Sequence, residues 1–106
     1  MSDLFASDAL MVLPAHVTPP ADEVLDLPDA DILAVQRALG APSLSFGTSR
    51  STARIADTIS RTNVDQLSKL QRNAAIRIAY RFRRQMPRHV QEILKQFAPC
   101  FFRVRR

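Results

Sequence analysis

The sequence predicts an all-α fold: a short N-terminal helix followed by a small helical hairpin or bundle, preceded by an extended, proline-rich acidic arm. Apolar residues recur at three- and four-residue spacing through the second half, glycine is absent from Ser51 onward, and proline does not return until Pro87. Two glycines and no tryptophan in 106 residues leave few tight turns and few large aromatic anchors, a composition that favours helices over a sheet. The length is that of one domain, with no room for a second catalytic one. The expected division is an acidic flexible arm at 1–28 and a basic helical region at 29–106.

Leu4 to Leu13 is a short apolar stretch interrupted by Ser7 and Asp8 and closed by Pro14. It suits an amphipathic turn or a strand added to a partner. Pro14, Pro19, Pro20 and Pro28 are then scattered among acids; each proline removes a donor and fixes its φ, so 14–28 reads as a linker. A helix follows at 29–39, with Pro28-Asp29-Ala30-Asp31 supplying its cap and negative charge at the positive end of its dipole. Ile32, Val35 and Leu39 form its apolar face. Gly40 stands where a left-handed C-cap is expected, and Pro42 forbids continuation.

Pro42 to Ser51 is a polar connection in which Leu44 and Phe46 alternate with serines. From 51 to 86, Ile55, Ile59, Leu67, Leu70, Ala74, Ile78 and Phe82 fall mostly three, four or eight apart on one helical stripe. Asn63-Val64-Asp65-Gln66 has the form of a capping box, so the stretch is either one helix or two, broken near 62–63. Pro87 ends it and suits the start of the next. Val90, Ile93, Leu94 and Phe97 give that last helix, 88–97, a full amphipathic pattern, and Pro99 stops it. The tail from Cys100 to Arg106 is apolar and basic, without turn chemistry of its own.

Charge is divided along the chain. Residues 1–49 carry seven acids against Arg37, a net of −6, whereas 50–106 carry fourteen basic groups against three acids, a net of +11. Arg72, Arg77, Arg81, Arg83, Arg84 and Arg88 crowd one segment and interleave with Tyr80 and Phe82. Guanidinium forks match phosphate oxygens, so this segment suits nucleic acid or lipid phosphate. A solvated helix face or one that meets an acidic protein has the same composition. No helix-turn-helix glycine, RNP motif, KH loop or zinc spacing accompanies the arginines, which argues against sequence-specific reading.

Catalysis finds no support. His16 lies among prolines and His89 beside an arginine, neither with an obvious carboxylate partner, and both read as surface histidines. Cys100, next to two phenylalanines, reads as a small apolar contact. There is no P-loop, no G-x-G-x-x-G and no zinc-ligand cluster, so no cofactor or metal is expected. A single cysteine makes a reducing, cytosolic compartment the default, and Met1-Ser2-Asp3-Leu4-Phe5 lacks the basic start of a secretory signal. Phe101-Phe102 among three arginines suits either an anionic membrane surface or a partner's groove. The acids and aliphatics of Asp22 to Leu27 suit a docking motif, a soluble tether, or an arm that lies on the basic helices until a partner displaces it.

Helices so few and short are expected to leave an apolar stripe, Leu67, Leu70, Ile78, Phe82 and Phe97, for self-association or a larger protein to cover. The run from Asp31-Ile32 through Leu39-Gly40-Ala41-Pro42 to Phe46 resembles the small accessory subunit of bacterial cellulose secretion systems, the BcsR-like family. That resemblance implies a non-catalytic cytoplasmic subunit, peripheral at the inner membrane, that partners a ParA/MinD-like ATPase and a membrane synthase. It also implies a docking face of Ile32, Val35, Leu39, Pro42 and Phe46. The leading expectation is therefore a helical adaptor in a larger complex. Nucleic-acid binding through 72–88 is the alternative, and peripheral membrane binding through the tail the third.

Overall fold

A computed structural model describes residues 13, 17, 20, 22–41, 44 and 50–102. Five α-helical segments and three 3-10 turns make up this part, and no strand occurs among the described residues. The all-α expectation holds. The expectations placed on Pro42, Phe46, most of the 4–13 stretch and Arg103 to Arg106 lie outside the described residues.

The hub is α2 (Asp29–Leu39), which packs against α3 (Arg50–Ser60), α4 (Lys69–Arg81) and α5 (Arg88–Phe97). Pro28 opens it from extended backbone, its carbonyl accepting from the amides of Asp31 and Ile32 at 3.0 and 3.1 Å. Asp29 and Asp31 sit in the first turn, where the dipole favours them. Ile32, Ala34, Val35, Ala38 and Leu39 are all buried. Gly40 ends the helix at φ −84°, not in the left-handed region expected of it, and its amide donates to the Gln36 carbonyl at 3.1 Å. A Cβ there would meet its nearest neighbour, Ser60 Cβ, at 3.5 Å, an ordinary contact. The helix therefore ends without any special backbone at Gly40.

The 51–86 stretch is two helices, and the break is longer than the capping-box reading placed it. α3 ends at Ser60; a 3-10 turn at Val64–Gln66 and an extended Leu67 follow before α4 begins at Lys69. The box that starts α4 is Ser68 with Gln71: the Gln71 amide donates to Ser68 Oγ at 3.1 Å and the Ser68 amide to Gln71 Oε1 at 3.0 Å. At Asn63 no side-chain cap bond forms to the backbone. Gln36 caps the break from another helix. Buried on α2, its Nε2 donates to the Ile59 carbonyl at 3.1 Å and to the Thr62 carbonyl, closing the end of α3 from outside the helix. The chain then turns so that α3 and α4 both lie on α2.

α4 stops at Arg81, short of the expected 86, and passes through a 3-10 turn at Arg83–Gln85. Pro87 sits at the N-cap of α5, its carbonyl accepting from Val90 and Gln91 at 3.0 Å each. The chain then makes a final 3-10 turn at Pro99–Phe102 that seats Phe101 in the core, so the tail does possess a local turn. This withdraws Phe101 from any membrane or groove.

Two further expectations are corrected here. Residues 14–28 are not a free linker throughout: α1 (Asp22–Leu25) is a helical turn whose Val24 is buried, as is Leu27 after it, against α4 and the last 3-10 turn. Two aliphatics three apart suffice to fix this turn on an apolar surface despite the acids beside them. Nor is the core too small to close. Val24, Ile32, Ile59, Ile78, Leu94 and Phe101 belong to one continuous buried cluster shared by all five helices.

Candidate functional site

Closing that core decides which sequence-predicted contacts reach solvent. Ile32, Val35, Leu39, Ile78 and Phe82, expected to face a partner, are buried within the chain itself because α2 and α4 are packed on several sides. Leu67 is half-buried. Leu70 and Phe97 are exposed, at 55% and 42%. With Leu33 on α2, they are the large apolar residues exposed among the described ones, one on each of three helices.

The six arginines separate into one structural clasp and five that reach solvent wholly or in part between the second half of α4 and the start of α5. Arg72 donates to the Asp29 carboxylate and to the Leu27 carbonyl, tying α4 to the start of α2. Two of the other five follow from the way α4 is buried: Gln71, Ala74, Ala75, Ile76, Ile78 and Ala79 occupy most of its circumference, leaving a strip that bears Asn73, Arg77, Tyr80 and Arg81. Arg77 keeps its Nε inside, without a hydrogen-bond partner, while the residue as a whole is only half-buried. The guanidinium of Arg77 is thus partly drawn into the protein surface, with its Nε side inside. Past the end of the helix Arg83 is half-buried and Arg84 exposed, and Arg88 opens α5 in the open.

Aromatic rings hold two of these side chains. The Arg83 guanidinium lies 4.1 Å from the Tyr80 ring centroid, and its Nη1 donates to the Tyr80 carbonyl at 2.6 Å. Tyr80 is itself set edge-on to Phe101, centroids 5.6 Å apart at 86°. Arg81 stands 5.7 Å from the centroid of Phe82. Such contacts are worth about 0.5–1 kcal/mol at exposed sites, enough to bias a rotamer. Arg81, Arg83, Arg84 and Gln85 together line a concavity of about 350 Å³.

Among the described residues, what is missing around these arginines is negative charge. From Gln66 to the end of the sequence the single acid is Glu92, and it pairs with Lys95 at 3.7 Å. The described ion pairs otherwise join Arg61 to Asp57 and Arg72 to Asp29, so no described carboxylate neutralises Arg77, Arg81, Arg83, Arg84 or Arg88. Of the six arginines that the sequence crowds together, Arg81, Arg83 and Arg84 share one concavity and Arg72 is set apart, while Gln91 was not among the expected site residues. Its Nε2 donates to the carbonyls of Arg83 and Arg84, at 3.2 and 3.3 Å, and so braces the turn that carries them. Its place in the first turn of the helix that follows the arginine turn is the one signal that points to it.

A larger groove of about 690 Å³ lies where α2 and α3 end, with Leu33, Arg37, Gly40, Arg61 and Asp65 in its walls and Gln36 committed to the carbonyls of α3. Its mixed charge gathers no reactive set. Among the described residues no three of His, Cys, Asp and Glu come together to hold a metal ion. No helix among them is long and apolar enough to cross a membrane. The chain matches no protein-family profile, no curated protein and no solved structure.

Proposed function

We propose that this is a non-catalytic binding protein that takes the phosphate backbone of nucleic acid on its Arg77, Arg81, Arg83, Arg84 and Arg88 face. The observation that carries the reading is the lack of any described carboxylate beside these five guanidinium groups, on a domain that takes Ile78 and Phe82 of its apolar stripe into its own core and leaves only Leu70 and Phe97 of it exposed. Protein interfaces draw their energy from a desolvated apolar centre, and singly placed Leu33, Leu70 and Phe97 supply little of one. Phosphates need only forked donors and positive potential, and both are present.

The test is fluorescence anisotropy with labelled single- and double-stranded oligonucleotides across a salt series. Binding should weaken as salt rises, and Arg81→Ala, Arg84→Ala and Arg88→Ala together should flatten log K against log salt by about 0.7–0.9 per arginine removed. The absence of binding to either strand form at low salt would overturn the proposal.

The second reading is an adaptor subunit of a protein assembly, the cellulose-secretion machinery included. Exposed Leu70 and Phe97 favour it. Leu70→Glu with Phe97→Glu should leave the fold intact and abolish nuclease-resistant co-purification of partners; unchanged co-purification argues against this face.

A further inference from the structure

Within the arginine face, the geometry points to one discrete seat: we infer that Arg81, Arg83, Arg84 and Gln85 hold a single backbone phosphate of the bound strand and fix its register. The inference rests on the nucleic-acid reading and adds a position to it. Three features distinguish this place from the rest of the basic surface.

The first is shape. Arg77 and Arg88 lie outside any such hollow, whereas Arg81 at the end of α4 and Arg83 and Arg84 in the turn after it line the concavity of about 350 Å³, and no acid is among its described walls. That size lies at the low end of small-molecule sites and admits a phosphate together with part of the nucleoside attached to it. The second is preorganisation. The Arg83 guanidinium is held by the Tyr80 ring on one side and by its bond to the Tyr80 carbonyl, yet only one of its five N–H donors is committed there. Binding therefore freezes little that is not already fixed.

The third is bracing of the backbone. Gln91 ties the Arg83 and Arg84 carbonyls to α5, the Gln85 amide donates to the Phe82 carbonyl at 3.0 Å, and Tyr80 rests edge-on against buried Phe101. The turn is thus supported from the core outward. An arginine in such a setting acts through its planar fork, which lysine lacks although it carries the same charge.

The experiment therefore exchanges fork for point charge. Amide NMR of the full chain would be followed during titration with inorganic pyrophosphate, for the unaltered protein, Arg83→Lys and Arg88→Ala. The seat predicts saturable shifts confined to the turn around Arg83, a loss of about tenfold in affinity for Arg83→Lys, and little change for Arg88→Ala. In the oligonucleotide arm, Arg83→Lys should weaken binding with an unchanged salt slope, while Arg88→Ala lowers the slope by about 0.7–0.9. Shifts spread evenly over all arginines, or Arg83→Lys binding as tightly as the unaltered chain, would overturn the seat while leaving oligonucleotide binding to the face intact. Pyrophosphate or phosphatidic-acid vesicles bound in an Arg83-dependent way, with no oligonucleotide bound, would overturn the strand as the source of the phosphate and with it the proposed function.

Discussion

Arg72 and Arg83 differ by eleven positions and share one side-chain chemistry, yet the fold sets them to opposite tasks. Arg72 meets Asp29 and the Leu27 carbonyl, whereas Arg83 meets a ring and keeps most of its donors for solvent. The Asp29 side chain is 78% exposed, so the charge pair itself contributes little, under about 1 kcal/mol. The carbonyl bond matters more, because removing the guanidinium leaves Leu27 without that donor. Arg72→Ala should therefore lower the unfolding free energy by about 1–2 kcal/mol, and Asp29→Asn by less than about 1, measured by urea denaturation. Equal losses would mean that the ion pair, not the carbonyl, holds the clasp. Nothing in the sequence separates Arg72 from its neighbours, since its partners lie 43 and 45 residues away. Gln36 was equally illegible: it occupies a core-facing position between Val35 and Leu39, and its value comes from carbonyls on another helix.

Helices were far more readable than the joints between them. The apolar positions of α2 and of α5 fall where 3.6-residue spacing puts them, and Pro28, Pro87 and Pro99 mark boundaries. Between α3 and α4 two segments, Asn63-x-x-Gln66 and Ser68-x-x-Gln71, have a polar cap followed three residues on by glutamine. Both are locally plausible, and tertiary packing chooses the second by ending α3 on Gln36. Ser68→Ala should accordingly cost about 1 kcal/mol and Asn63→Ala a few tenths, read from thermal unfolding. A larger loss at Asn63 would show that the turn at Val64–Gln66, not the box, starts α4. The arginine cluster was legible as charge, but its concavity was not, because it arises where α4 stops early and the turn at Arg83–Gln85 bends the chain.

At the scale of the whole molecule, the division of charge suggests two halves held together by attraction, and the packing indicates otherwise. Val24 and Leu27, from the acidic half, are buried in the same cluster as Ile78 and Phe101 from the basic half. Val24→Ala with Leu27→Ala should lower stability by about 3–5 kcal/mol, a large share of what a domain of this size possesses, and the loss should be insensitive to salt. A denaturation midpoint that moves little would return this segment to the status of a tether. The sequence holds one tyrosine and no tryptophan, so the ultraviolet emission of the folded protein comes overwhelmingly from Tyr80, the ring on which Arg83 rests. The molecule thus carries its own optical reporter at the arginine turn. Anything that draws that guanidinium aside alters a signal with a single, known origin, and no dye need be attached to follow it.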